Sequence, residues 1–71
     1  MTTKEEFLKN FGHKLAEIRK SKGISQEKLA NDIDVHRTYI GFIEQGKRNP
    51  SIWNIQKIAI SLKIGAKSLF E

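Results

Sequence analysis

The stretch from Ser25 to Glu44 constrains this chain more than any other. It reads as two short helices joined by a tight corner. Ser25 is placed to cap the first by accepting a hydrogen bond from a free first-turn N–H, and Glu27 suits the positive end of that helix. Leu29, Ala30 and Ile33 recur at helical spacing and give it one apolar face. Asp34 follows, a residue type that tolerates turn conformations. Val35 is apolar, and a second pattern runs through Ile40 and Ile43. That pattern leaves Arg37, Thr38, Tyr39 and Phe42 off the core stripe.

The flanking segments also read as helices. Thr3 and Glu6 match a capping box, in which hydroxyl and carboxylate each satisfy a free donor. Phe7, Leu8, Phe11, Leu15 and Ile18 fall on one face at helical period. Glu5 and Glu6 stand at the positive end, Lys20 and Lys22 at the negative end, and Gly23 stops the helix. Gly12 lies inside this pattern and should weaken it by about 1 kcal/mol relative to Ala. The segment before it is therefore expected to fray or to form a separate turn. Beyond Glu44, the residues Gly46, Asn49 and Pro50 mark a loop that also carries Lys47 and Arg48. Ser51 is placed to cap a further helix through Ile52, Ile55, Ile58, Ala59 and Leu62, with Trp53 beside the apolar face. Gly65 breaks that pattern. Ala66 to Phe70 reads as a last short helix, with Leu69 and Phe70 turned inward or toward a partner. No strand signal, repeat or linker interrupts the chain, so the reading is all-α, with one domain over residues 1–71.

A core this small supplies about 3–5 kcal/mol, so self-association can matter. There is no cysteine, which excludes a disulfide framework, a thiolate zinc site and a cysteine nucleophile, and permits life in the cytoplasm. No apolar run approaches the roughly 20 residues of a membrane span, and the first residues do not read as a signal peptide. His13 and His36 have no second ligand at metal spacing, so neither a metal nor another cofactor is expected. No nucleophile–base pair, phosphate-binding glycine loop or paired-acid motif is present, and the chain does not read as an enzyme. The net charge is +5 and the sequence pI near 9.8, a balance that favours a polyanionic partner. Two helices joined by a turn of about three to four residues form the helix-turn-helix unit, here over about residues 25–44. That unit lays its second helix in the DNA major groove.

The chain resembles the phage-repressor-like helix-turn-helix family, the XRE type. The matching residues are Leu15, Ile18 and Arg19, then Gly23 through Ala30, then Val35, Ile40, Ile43, Glu44, Gly46, Arg48, Pro50, Ser51, Ile55, Ile58, Ala59, Leu62, Leu69 and Phe70. Within that family, Arg37 to Ile40 with Glu44, Arg48 and Asn49 is similar to the controller proteins of restriction-modification systems. The resemblance implies a compact five-helix domain that binds a two-fold operator on double-stranded DNA as a homodimer. The family often has Gly where this chain has Asp34, and Ser or Asp where it has His36. A phage or plasmid repressor of the same fold is the near alternative. An antitoxin or other protein-interaction module is the alternative from another class, but it would not need cations on the DNA face.

Arg37, Thr38 and Tyr39 open the second helix of the unit. An Arg can bond a guanine edge in two places and a Thr methyl can contact thymine, and the resemblance assigns base reading to all three. Gln26 starts the first helix, where phosphate can bind. His36, Lys47, Arg48, Asn49 and Ser51 are the other candidates for the DNA backbone. Arg19 and Glu44 sit beside apolar positions, and the resemblance implies an ion pair between them that belongs to the scaffold. Ile60, Ile64, Leu69 and Phe70 are the candidates for a dimer interface. Asp32 and Asp34 stand at the negative end of the first helix, where the dipole disfavours acid. The resemblance offers them a use, contact with the sigma subunit of RNA polymerase beside the operator.

Overall fold

The computed structural model describes residues 2–71; Met1, the first residue of the expected domain, lies outside them. Four α-helices run in order: α1 (Lys4–Ser21), α2 (Gln26–Asp32), α3 (Arg37–Glu44) and α4 (Ile52–Leu62). The closing segment Ala66–Phe70 is a 3-10 helix rather than the expected fifth α-helix. It is five residues long, has no side-chain cap, and opens on a Ser68 N–H to Gly65 carbonyl bond of 3.0 Å. So short a segment takes the tighter i to i+3 turn. No strand occurs among the described residues.

Every α-helix opens on a side-chain cap. The Thr3 hydroxyl accepts from the Glu6 N–H at 3.1 Å, while the Glu6 carboxylate accepts from the Thr3 N–H at 3.3 Å. Ser25 and Ser51 accept from the N–H groups of Lys28 and Asn54, each at 3.0 Å. All four helices also close alike, on a residue in the left-handed region followed by a backbone bond back across the last turn. The left-handed residues are Gly23, Asp34, Gly46 and Lys63, with φ of 69°, 61°, 75° and 57°. The closing bonds run from Ile24, Val35, Lys47 and Ile64 to the carbonyls of Arg19, Ala30, Phe42 and Ala59. Gly65, expected to end α4, is instead extended at φ −76°, and Lys63 makes the turn.

Phe11 and Leu15 of α1 pack with Leu29, Ala30 and Ile33, with Ile40 and Ile43 of α3, and with Ile58, Leu62 and Leu69. Helix α1 runs unbroken through Gly12, against the expectation of fraying there. The glycine is the seat of α3. A Cβ on it would clash with the Ile43 carbonyl oxygen and would lie 2.6 Å from that of Glu44. Burial of the surrounding face outweighs the weak local propensity. Two further expectations change. Ile52 is 87 % exposed, because it begins α4 at the end where no other element covers it. Leu69 is 1 % exposed and belongs to the core, so it is not available to a partner.

Candidate nucleic-acid interface

The corner between α2 and α3 sets how the second helix is presented. Ile33 completes α2, Asp34 reverses the chain, and Val35 lies half-buried against the core. His36 then caps α3. Its Nδ1 accepts from the Thr38 N–H at 3.2 Å and lies 2.9 Å from the Thr38 hydroxyl. With Nδ1 taken as the acceptor of the cap, Nε2 is the ring nitrogen left to donate to a phosphate.

The face of α3 turned from the core carries Arg37, Thr38, Gly41, Phe42 and Gln45, spaced i, i+1, i+4, i+5 and i+8. With Gln26 they line one shallow groove. Arg37, Thr38, Phe42 and Gln45 are exposed, and neither Arg37 nor Thr38 is tied to a neighbouring element by a side-chain bond. Tyr39 is placed differently from the other two expected base readers. It is half-buried against the core, and its hydroxyl accepts from Asn54 Nδ2 at 2.8 Å. The Arg48 guanidinium lies 5.1 Å from the centre of its ring. Tyr39 thus forms a shelf that joins α3 to α4 and steadies Arg48. Asn54 was not singled out from the sequence. Its position three residues after the Ser51 cap is the only local signal, and that signal says nothing of Tyr39.

Gln26 is turned inward as well. Its Nε2 donates to Glu44 Oε1 at 2.9 Å, which makes it a strut between α2 and α3 rather than a side chain held out for phosphate. Glu44 also takes two bonds from Arg19, with Nε at 2.6 Å from Oε2 and Nη2 at 3.0 Å from Oε1. Arg19 Nη1 donates to the Ile24 carbonyl at 2.7 Å. Both side chains of the ion pair are over nine-tenths buried, and no buried side-chain nitrogen or oxygen among the described residues lacks a partner. The pair is therefore fully compensated, and it pins α1, α2 and α3 together beneath the outer face of α3.

Lys47, Arg48 and Asn49 are exposed on the loop after α3, followed by the exposed Ser51 at the cap of α4. Asp32 is exposed but bonded to two neighbouring side chains. Lys28 Nζ lies 2.8 Å from one carboxylate oxygen and the Ser61 hydroxyl donates to the other at 3.1 Å. The Lys28 ammonium hydrogen-bonded to it holds the Asp32 carboxyl below its ordinary value, with help from Ser61. Asp34 is exposed at the corner. Ile60 and Phe70 are 61 % and 52 % exposed, and Ile64 is half-buried. The Phe70 ring lies 6.1 Å from Phe7 and 5.2 Å from Phe11. No group of three metal-ligating side chains occurs among the described residues, and none of the helices is long and apolar enough to cross a membrane.

The chain is similar in sequence and fold to known proteins. The chain is 52% identical over 62 residues to the control protein C.BamHI of Bacillus amyloliquefaciens, an alignment covering 86% of this chain and 76% of that one. It is 49% identical over 61 residues to the control protein C.MunI of a Mycoplasma species, covering 84% and 82%. The crystal structure of the restriction-modification controller protein C.AhdI from Aeromonas hydrophila superposes with a TM-score of 0.87 at 46% identity, covering 89% of this chain and 96% of that one. Residues 15–68 match the helix-turn-helix family, and the chain belongs to it.

Proposed function

We propose that this chain is a sequence-specific DNA-binding transcriptional regulator of the restriction-modification controller type. It works in the cytoplasm as a homodimer on a two-fold operator. The observation that carries this reading is the outer face of α3, which offers Arg37 and Thr38, neither tied to a neighbouring element by its side chain, above a rigid, fully bonded base and beside the cations Lys47 and Arg48. The net charge of +5 agrees with a polyanionic partner.

In this reading Arg37 and Thr38 meet base edges in the major groove. Lys47, Arg48, Asn49 and Ser51 follow the phosphates, with Tyr39 holding Arg48 in place. One copy reads only a few base pairs, so a dimer places two reading helices about 34 Å apart. Of the four interface candidates, Ile60 and Phe70, with part of Ile64, remain accessible for that contact. A contact with the sigma subunit falls to Asp34, because Asp32 is occupied by Lys28 and Ser61.

The test is a footprint on the DNA upstream of this gene, followed by titrations with two variants. Two protected half-sites one helical turn apart are expected. Arg37→Ala should lose about 1–3 kcal/mol of discrimination at one base of each half-site. Arg48→Ala should weaken all sequences alike and flatten the dependence of binding on salt. An unchanged preferred sequence and affinity in Arg37→Ala would show that α3 is not the reading helix.

A further inference from the structure

Two adjacent residues on the outer face of α3 stand outside the core and what packs on it. Phe42 is 42 % exposed and belongs neither to the core nor to the half-buried residues packed on it. Its groove neighbours are Gln26, Arg37, Thr38, Gly41 and Gln45, none of which offers its ring an apolar side chain. Gly41 stands in mid-helix, where glycine is unfavourable. A Cβ there would meet only the Gln26 amide, at 3.6 and 3.9 Å, which is ordinary contact, and its φ is not left-handed. Nothing inside the protein asks for a glycine at 41 or an aromatic ring at 42.

We propose that Phe42 contacts the C5-methyl group of a pyrimidine in the major groove, with Gly41 as the notch that lets the α3 backbone come close enough for the ring to reach it. This rests on the DNA-reading role proposed above. In the major groove the thymine methyl is the apolar feature that distinguishes one edge of an A·T pair, and phenylalanine is a matching partner for it. Glycine is the residue that permits close approach of backbone to a ligand. Arg37 and Thr38 precede the notch on the same groove, so hydrogen-bonding and methyl-reading groups act on neighbouring base pairs. A C5-methyl is carried by thymine and by 5-methylcytosine, and the two sources are separable.

The experiment begins with a binding site selected from random duplex DNA by the unmutated protein. Each thymine of that site is then replaced singly by deoxyuridine, and each cytosine singly by 5-methylcytosine. One thymine per half-site is expected to lose about fourfold in affinity when its methyl is removed, the worth of one buried methyl. A cytosine whose methylation strengthens binding by a similar factor would assign the same contact to 5-methylcytosine. In Phe42→Ala that methyl effect should fall below twofold, while Phe42→Leu retains part of it. Phe42→Gln takes the place of the alanine variant if the latter does not melt cooperatively. A site at which no methyl matters to the unmutated protein overturns the proposal, and so does a methyl effect that survives in Phe42→Ala. A random pool that yields no preferred sequence would instead overturn the DNA-reading role itself.

Discussion

The two sides of α3 each carry a glycine contact, and the two could hardly differ more. On the inner side, Ile43 and Glu44 rest on Gly12 of α1, where a Cβ would strike backbone oxygens. On the outer side, Gly41 has only the Gln26 amide within reach, at ordinary contact distance. The first glycine is required by the protein's own packing. The second weakens an eight-residue helix and earns nothing from the fold. Stability therefore resides beneath α3, and the reading role proposed for the helix lies on the opposite face. What separates the two kinds of glycine is the atom a side chain would meet, not the helical position of the residue.

Three substitutions probe that division. Glu44→Ala should have the largest effect, because it leaves the buried Arg19 guanidinium without its carboxylate. Loss of about 3–5 kcal/mol is expected, read by denaturant unfolding, which approaches the whole stability of a domain this small. Gly12→Ala should follow, at about 1–3 kcal/mol. The overpacked Cβ forces α3 off its seat, and the gain in helix propensity does not offset this. A Gly12→Ala protein as stable as the parent would mean that α1 and α3 slide apart easily, and the contrast between the faces would weaken. Gly41→Ala should have the smallest effect and the opposite sign. Its melting should rise by the equivalent of about 1 kcal/mol while affinity for the selected DNA falls. If both properties rose together, the outer glycine would not be there for DNA.

Much of this fold was legible from residue spacing. Thr3, Ser25 and Ser51 marked three helix starts, and the apolar stripes through Leu15, Leu29 and Ile58 marked three buried faces. These are local signals, each contained within a turn or two of helix. What spacing could not convey is which element lies opposite a given residue. Gly12 looked like a weak point because only its own helix was in view, and Ile52 looked buried because it shared a stripe with Ile55 and Ile58. Tyr39 is another such case, since its partner Asn54 lies on a different helix. His36 and Lys63 stand at a cap and a left-handed turn where other residue types are usual, so composition hid both. For the reading face, Arg37 and Thr38 were visible as polar residues off the core stripe. Gly41 and Gln45 were not, because neither carries a charge or an apolar signal.

The Arg19–Glu44 junction also makes the reading surface conditional. Helices α2 and α3 have seven and eight residues, too short to persist alone in water. They are held where one guanidinium reaches a carboxylate on α3 and a carbonyl just before α2. Without this junction nothing else fixes the ends of these short helices to α1 at that point, so only the folded form can act as regulator. An operator bound only by that form pulls the folding equilibrium toward it by mass action. A cell that warms would lose regulator in proportion to unfolding, and the copies last to be lost would be those already seated on DNA.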